Sequence, residues 1–168
     1  GIINLPAVLM VLLITFVLTR GTSQSKIVNN ILVGVKLTII LLFIIISFRD
    51  INLANYRPFF PYGVSGVFGG ASAVFFSFLG FDALATSAED AKNVNKTLPR
   101  AILISLSLST LLYIVVGLVM TGVVKYKYLN VSEAMSYVLL TKGHTFIAEI
   151  VSFGAILGIM AVVFAFIY

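Results

Sequence analysis

Residues 64–88 read VSGVFGGASAVFFSFLGFDALATSA, and within them Gly80-Phe81-Asp82 sets a glycine and then a bare carboxylate into the second half of an apolar stretch. An acid at the centre of a membrane helix costs about 3 kcal/mol on insertion scales. Membrane segments carry one mainly where the helix is broken or lines a polar cavity. The triplet therefore points to a binding site inside a membrane protein, on a discontinuous span.

Composition agrees. The chain is 60% hydrophobic and only 10% charged, with a mean hydropathy of +1.13, whereas soluble domains carry about 25% charged residues. A helix needs about 20 predominantly apolar residues to cross about 30 Å of hydrocarbon. Stretches of that kind run over 2–19, 27–48, 64–88, 101–124 and 145–168, which predicts an all-α integral membrane fold. Between the last two, Val131, Ala134, Met135, Val138 and Leu139 repeat at helical spacing, and Asn130 and Glu133 stand at N-cap and N3 spacing. A short interfacial helix over about 131–142 is expected there. Pro99 suits the first turn of the fourth span.

Several function classes drop out. Without cysteine and with a single histidine, His144, the chain has no disulfide framework, thiolate metal site or thiol nucleophile. The metalloprotease H-E-x-x-H, the phosphate-binding G-x-x-x-x-G-K and the hydrolase G-x-S-x-G patterns are all missing. No enzyme activity, cofactor or metal is implied. The net charge of +5 does not indicate nucleic acid, because the basic residues lie singly in short connections, where they anchor helices at headgroups. Both ends fall inside apolar runs, so a segment of a longer polytopic protein is expected.

An unwound helix at Gly80 would free carbonyls in the turn before it and amides in the turn after it. The carbonyl end attracts cations and the amide end anions. A zwitterionic amino acid matches both, its ammonium on carbonyls of Phe76, Ser77 and Leu79 and its carboxylate on amides of a broken helix. Asp82 has two readings, as a cap on the second half-helix or as a direct substrate contact. The glycines at 63, 66, 69 and 70 suit close helix packing.

Lys36 is a second anomaly. It lies about ten residues into its span, roughly 14 Å at 1.5 Å per residue and beyond easy snorkelling reach. A lysine withdrawn from water gives up its proton more readily, so Lys36 is a candidate proton carrier. The alternative is a permanently charged lysine bonded to carbonyls of a neighbouring broken helix. Met160 is a candidate wall of a side-chain pocket or plain packing, and Gly154 and Gly158 form a small-xxx-small packing pair. His144 and Glu149 are expected to be solvated near an interface.

Phe75-Phe76-Ser77-Phe78-Leu79-Gly80-Phe81-Asp82-Ala83, then Ala88-Glu89-Asp90, Lys92-Asn93 and Leu98-Pro99-Arg100, resembles the sixth helix and following loop of permeases of the amino acid–polyamine–organocation superfamily. The likeness is greatest to its cationic amino acid transporter branch. Asn29-Asn30 with Lys36 is similar to that branch's fifth helix. The resemblance implies a twelve-helix, five-plus-five inverted-repeat transporter of which this chain is helices four to eight, in contact with the remaining helices and the lipid bilayer. It implies Phe81 as an aromatic gate and Lys36 in the place where sodium-coupled relatives bind sodium, which favours proton coupling or sodium independence. It also makes the loop with Lys92 and Lys96 cytoplasmic, a point left undecided by basic residues that number five on each side. The expected function is secondary active transport of an amino acid across the plasma membrane by alternating access, as a proton symporter. The alternatives are an exchanger of the same fold and a non-transporting accessory subunit.

Overall fold

A bilayer offers backbone groups no water, so an apolar segment that crosses it must satisfy every amide internally, as a helix. The computed structural model describes residues 8, 12, 15, 16, 22–75 and 94–167. Among them are the helices α1 (Thr22–Phe48), α2 (Gly63–Phe75), α3 (Val94–Val123), α4 (Ala134–Thr141) and α5 (Thr145–Ile167). Three are long and apolar enough to cross a membrane, over Ile27–Phe48, Asn95–Val123 and Thr145–Val163. The first of these has 22 residues, about 33 Å of helix, which matches the hydrocarbon thickness. Large apolar side chains such as Ile31 and Ile45 on α1 and Leu103, Ile104 and Leu111 on α3 are exposed, as lipid or further helices require. Positions 8, 12, 15 and 16 of the first apolar stretch are helical. The second half of the third stretch, 76–88, lies outside the described residues.

Helix α3 is already helical at Val94, so Pro99 lies inside it rather than in its first turn. Without an N–H, Pro99 leaves the Asn95 carbonyl lacking its helical donor, at a position where Asn95 is exposed.

The chain divides into two compact units. In the unit made of residues 1–50 and 129–168, α1 and α5 pack antiparallel. Ile39 meets Gly154, the Lys36 stem meets Gly158, and Asp50 beyond the end of α1 meets His144 before the start of α5. Gly154 is buried, and a Cβ there would collide with Ile39 Cδ1 and come within 3.0 Å of its Cγ2. At Gly158 the same test gives ordinary contact, 3.6 Å to Lys36 Cδ. The small-xxx-small pair thus has its partner helix, and its two glycines differ in tolerance. In the full-length protein Gly154→Leu should lower stability by about 1–3 kcal/mol, as overpacking does, and Gly158→Ala by much less. Thermal unfolding in detergent checks both.

Helix α4 closes on α5 through a tight reversal. The His144 N–H bonds Leu139 O at 3.0 Å and the Gly143 N–H bonds Leu140 O at 3.0 Å. This double bond pattern needs a left-handed residue, and Gly143 supplies it at φ +81. Val138 and Leu139 are buried, as are Ala148 and Val151 of α5, and Ser136 Oγ donates to Ala148 O at 3.3 Å. The start of α4 departs from the sequence expectation. Glu133 is itself the N-cap, without a side-chain capping bond, and its carboxylate accepts from Ser152 Oγ at 2.8 Å instead. A hydroxyl from the neighbouring helix has displaced the local capping partner. His144 departs too: its Nε2 lies 3.0 Å from Asp50 Oδ2, whereas Glu149 is exposed.

In the unit 51–128, the connection after α1 is built rather than loose. Asn52 caps the helical turn Leu53–Tyr56 by accepting from the Ala54 N–H at 3.0 Å. The turn then docks on the C-terminal end of α3, whose last carbonyls lack helical donors. The Asn52 N–H bonds Gly122 O at 2.9 Å, Asn55 Nδ2 donates to Gly122 O at 2.8 Å and Val123 O at 3.1 Å, and the Tyr56 hydroxyl donates to Leu118 O at 2.8 Å. Gly122 admits the Tyr56 ring, since a Cβ there would strike its hydroxyl. Asn55→Ala removes two donors at once and should destabilise the full-length protein by about 1 kcal/mol, read as a lowered unfolding temperature.

Candidate functional site

Of the candidate substrate-binding and coupling residues named from sequence, Lys36 and Met160 fall among the described residues. Phe76, Ser77, Leu79, Gly80, Phe81 and Asp82 lie outside them. Lys36 projects from α1 towards the glycine face of α5, where the absence of a side chain at Gly158 leaves room for its stem, Cδ, Cε and Cγ all within 4 Å of where a Cβ would stand. A residue with any large side chain at 158 would push the lysine away. Lys36 also lines an open cavity.

That cavity, about 480 Å³, lies between α1, α4 and α5 and is lined by Lys36, Ile39, Glu133, Ser152, Gly158 and neighbours. Its size falls within the range of small-molecule sites. Apolar residues such as Ile40, Val151, Ile159 and Val162 line it together with a few polar ones, Lys36, Glu133, Ser132, Ser136 and Ser152. Glu133 and Ser152 are held together by their 2.8 Å hydrogen bond. On α5, Ser152 precedes Gly158 by six residues, about 9 Å of helix rise, so the carboxylate and the lysine stem sit at different depths. No carboxylate among the described residues lies within salt-bridge distance of Lys36. A lysine on a cavity wall, with the Glu133 carboxylate at another depth, is chemically equipped to exchange a proton or to meet carbonyls.

Met160 is half-buried and is not part of this lining. It follows Gly158 by two residues, about 200° round the helix, and so occupies a different face of α5 from the one Lys36 meets. Sequence reasoning missed Glu133 and Ser152 as cavity residues. The signal available was an acid within the apolar repeat of Val131 to Leu139, which its N3 spacing made easy to assign locally.

Comparison with known proteins places the chain in context. The amino acid permease family profile matches residues 3–168. The methylthioribose transporter of Bacillus subtilis (strain 168) is 43% identical over 168 residues, 100% of this chain and 36% of that protein. The branched-chain amino acid permease BcaP of the same organism is 42% identical over 166 residues, 98% of this chain and 36% of the relative. The chloroplastic cationic amino acid transporter 9 of Arabidopsis thaliana is 37% identical over 166 residues, 99% of this chain and 29% of the relative. The chain thus spans about a third of the length of the curated relatives it matches.

Proposed function

This chain belongs to the amino acid permease family, and from that premise we propose that the full-length protein is a secondary active transporter that takes up an amino acid by alternating access, together with a proton. Family membership assigns it to transport rather than catalysis, and its apolar helices make it a multi-pass membrane protein. The match over residues 3–168 is the observation that carries the reading. We assign the substrate ammonium to carbonyls of Phe76, Ser77 and Leu79 at a helix break at Gly80, with Asp82 as the cap of the following half-helix and Phe81 as the gate. Lys36 is the proton-coupling residue in this reading. Support for that role comes from its position on α1 over the glycine face of α5, on the wall of a cavity, with no carboxylate among the described residues within salt-bridge distance of it. Met160 is assigned to the wall of the substrate side-chain pocket, and the plasma membrane is the proposed location.

A second reading has its own support, because the methylthioribose transporter is as similar to this chain as the branched-chain amino acid permease is. Methylthioribose has no ammonium, so the carbonyls before Gly80 would then face hydroxyls. Uptake by the full-length protein in liposomes separates the readings. Labelled leucine, isoleucine or valine accumulating inside when an inward proton gradient is imposed supports proton-coupled amino-acid symport, and entry only when amino acid is preloaded indicates exchange. Entry of methylthioribose alone transfers the assignment to that substrate. Entry of neither methylthioribose nor any labelled amino acid overturns the transport reading for both.

A further inference from the structure

We propose that the basic and aromatic end of the unit 51–128 holds the phosphate of an anionic phospholipid headgroup. The docking of Asn55 and Tyr56 fixes the segment that follows against the end of α3. A second contact fixes the far end of that segment, where the rings of Tyr62 and Tyr126 meet edge-to-face at 5.9 Å. Between these two attachments lies Arg57, and on either side of Tyr126 stand Lys125 and Lys127. All three basic residues are exposed, as are Tyr62, Tyr126 and Tyr128.

The charge there is of one sign. Residues 51–62 and 124–130 contain no aspartate or glutamate, so the guanidinium and two ammonium groups meet no carboxylate from their own segments. Lys127 Nζ stands 4.9 Å from the centre of the Tyr128 ring, a cation–π contact that holds the ammonium at the surface and leaves its donors free. Phe59 and Phe60, exposed and packed edge-to-face at 4.9 Å, add apolar surface beside the charges. Tyrosines in this position rest at headgroup depth. Basic residues near the surface attract anionic lipid at about 1 kcal/mol each. Arginine adds a fork of donors matched to phosphate oxygens. A zwitterionic headgroup carries its own compensating cation, so the surface discriminates between lipid classes.

The test uses the full-length permease in mixed micelles with equal phosphatidylglycerol and phosphatidylcholine, counting retained lipid by native mass spectrometry. Wild type should retain phosphatidylglycerol in preference. The variant R57Q/K125Q/K127Q should retain roughly a hundredfold less of it. The charge-matched control R49Q/K96Q/K142Q removes three exposed basic residues elsewhere and should retain the wild-type amount. Excess soluble glycerol phosphate should not displace the lipid, because the apolar part of the surface holds only an acyl-bearing ligand. Absence of a preference in wild type, equal loss in both triple variants, or displacement by glycerol phosphate would each overturn the proposal.

Discussion

Full-length permease carrying Gly80→Leu is expected to insert in the membrane at wild-type levels and to bind no substrate amino acid. Leucine favours the helix over glycine by about 0.8 kcal/mol, and its side chain fills the space in which the backbone must turn aside. A closed helix returns the carbonyls of Phe76, Ser77 and Leu79 to their own amides. Each hydrogen bond to a charged group contributes about 1.5–3 kcal/mol, so losing two from the ammonium weakens affinity by at least about 100-fold. Equilibrium binding of labelled amino acid, normalised to the amount of inserted protein, measures it. Unaltered affinity would mean that the helix does not open at Gly80.

Lys36→Met has the second large effect, on energetics rather than affinity. Methionine keeps an unbranched stem over Gly158 and removes the ammonium, so the packing of α1 on α5 should be retained while the proposed proton transfer is lost. A gradient of one pH unit supplies about 1.4 kcal/mol per proton, or about tenfold accumulation. Proteoliposomes with the variant should therefore reach the same internal amino-acid level with and without an inward proton gradient. Gradient-dependent accumulation equal to that of wild type would remove Lys36 from the coupling mechanism.

The bilayer makes much of this fold readable. Length and apolar character alone define a span, and Ile27–Phe48 and Thr145–Val163 needed nothing from tertiary contacts to be recognised. The Gly154 and Gly158 pair was readable as a packing face for the same local reason, although nothing in sequence identified Ile39 and Lys36 as the side chains laid against it. What sequence could not supply were polar contacts between distant residues. Glu133 and Asn130 have capping-box spacing, yet Ser152 takes the carboxylate. His144 looked solvated because its partner, Asp50, is 94 residues away. At the site, Lys36 was legible as a lysine too deep in its span to reach water, while Glu133 was hidden by a plausible local role. The Gly80 break rests on the sequence pattern and on the family likeness, and Gly80→Leu is its direct test.

The docking of Asn55 on α3 also constrains when the protein can assemble. Its two acceptors, on Gly122 and Val123, lie 67 and 68 residues later in the chain. At roughly 5–20 residues per second of synthesis, the segment emerges several seconds before the carbonyls it must bind. Through that interval the side chains of Asn55 and Tyr56 have only water or headgroups as partners. The unit closes when α3 has been threaded to its last turn, so a ribosome stalled before residue 122 would leave a nascent permease whose earlier spans are inserted but whose connection has not yet found its place.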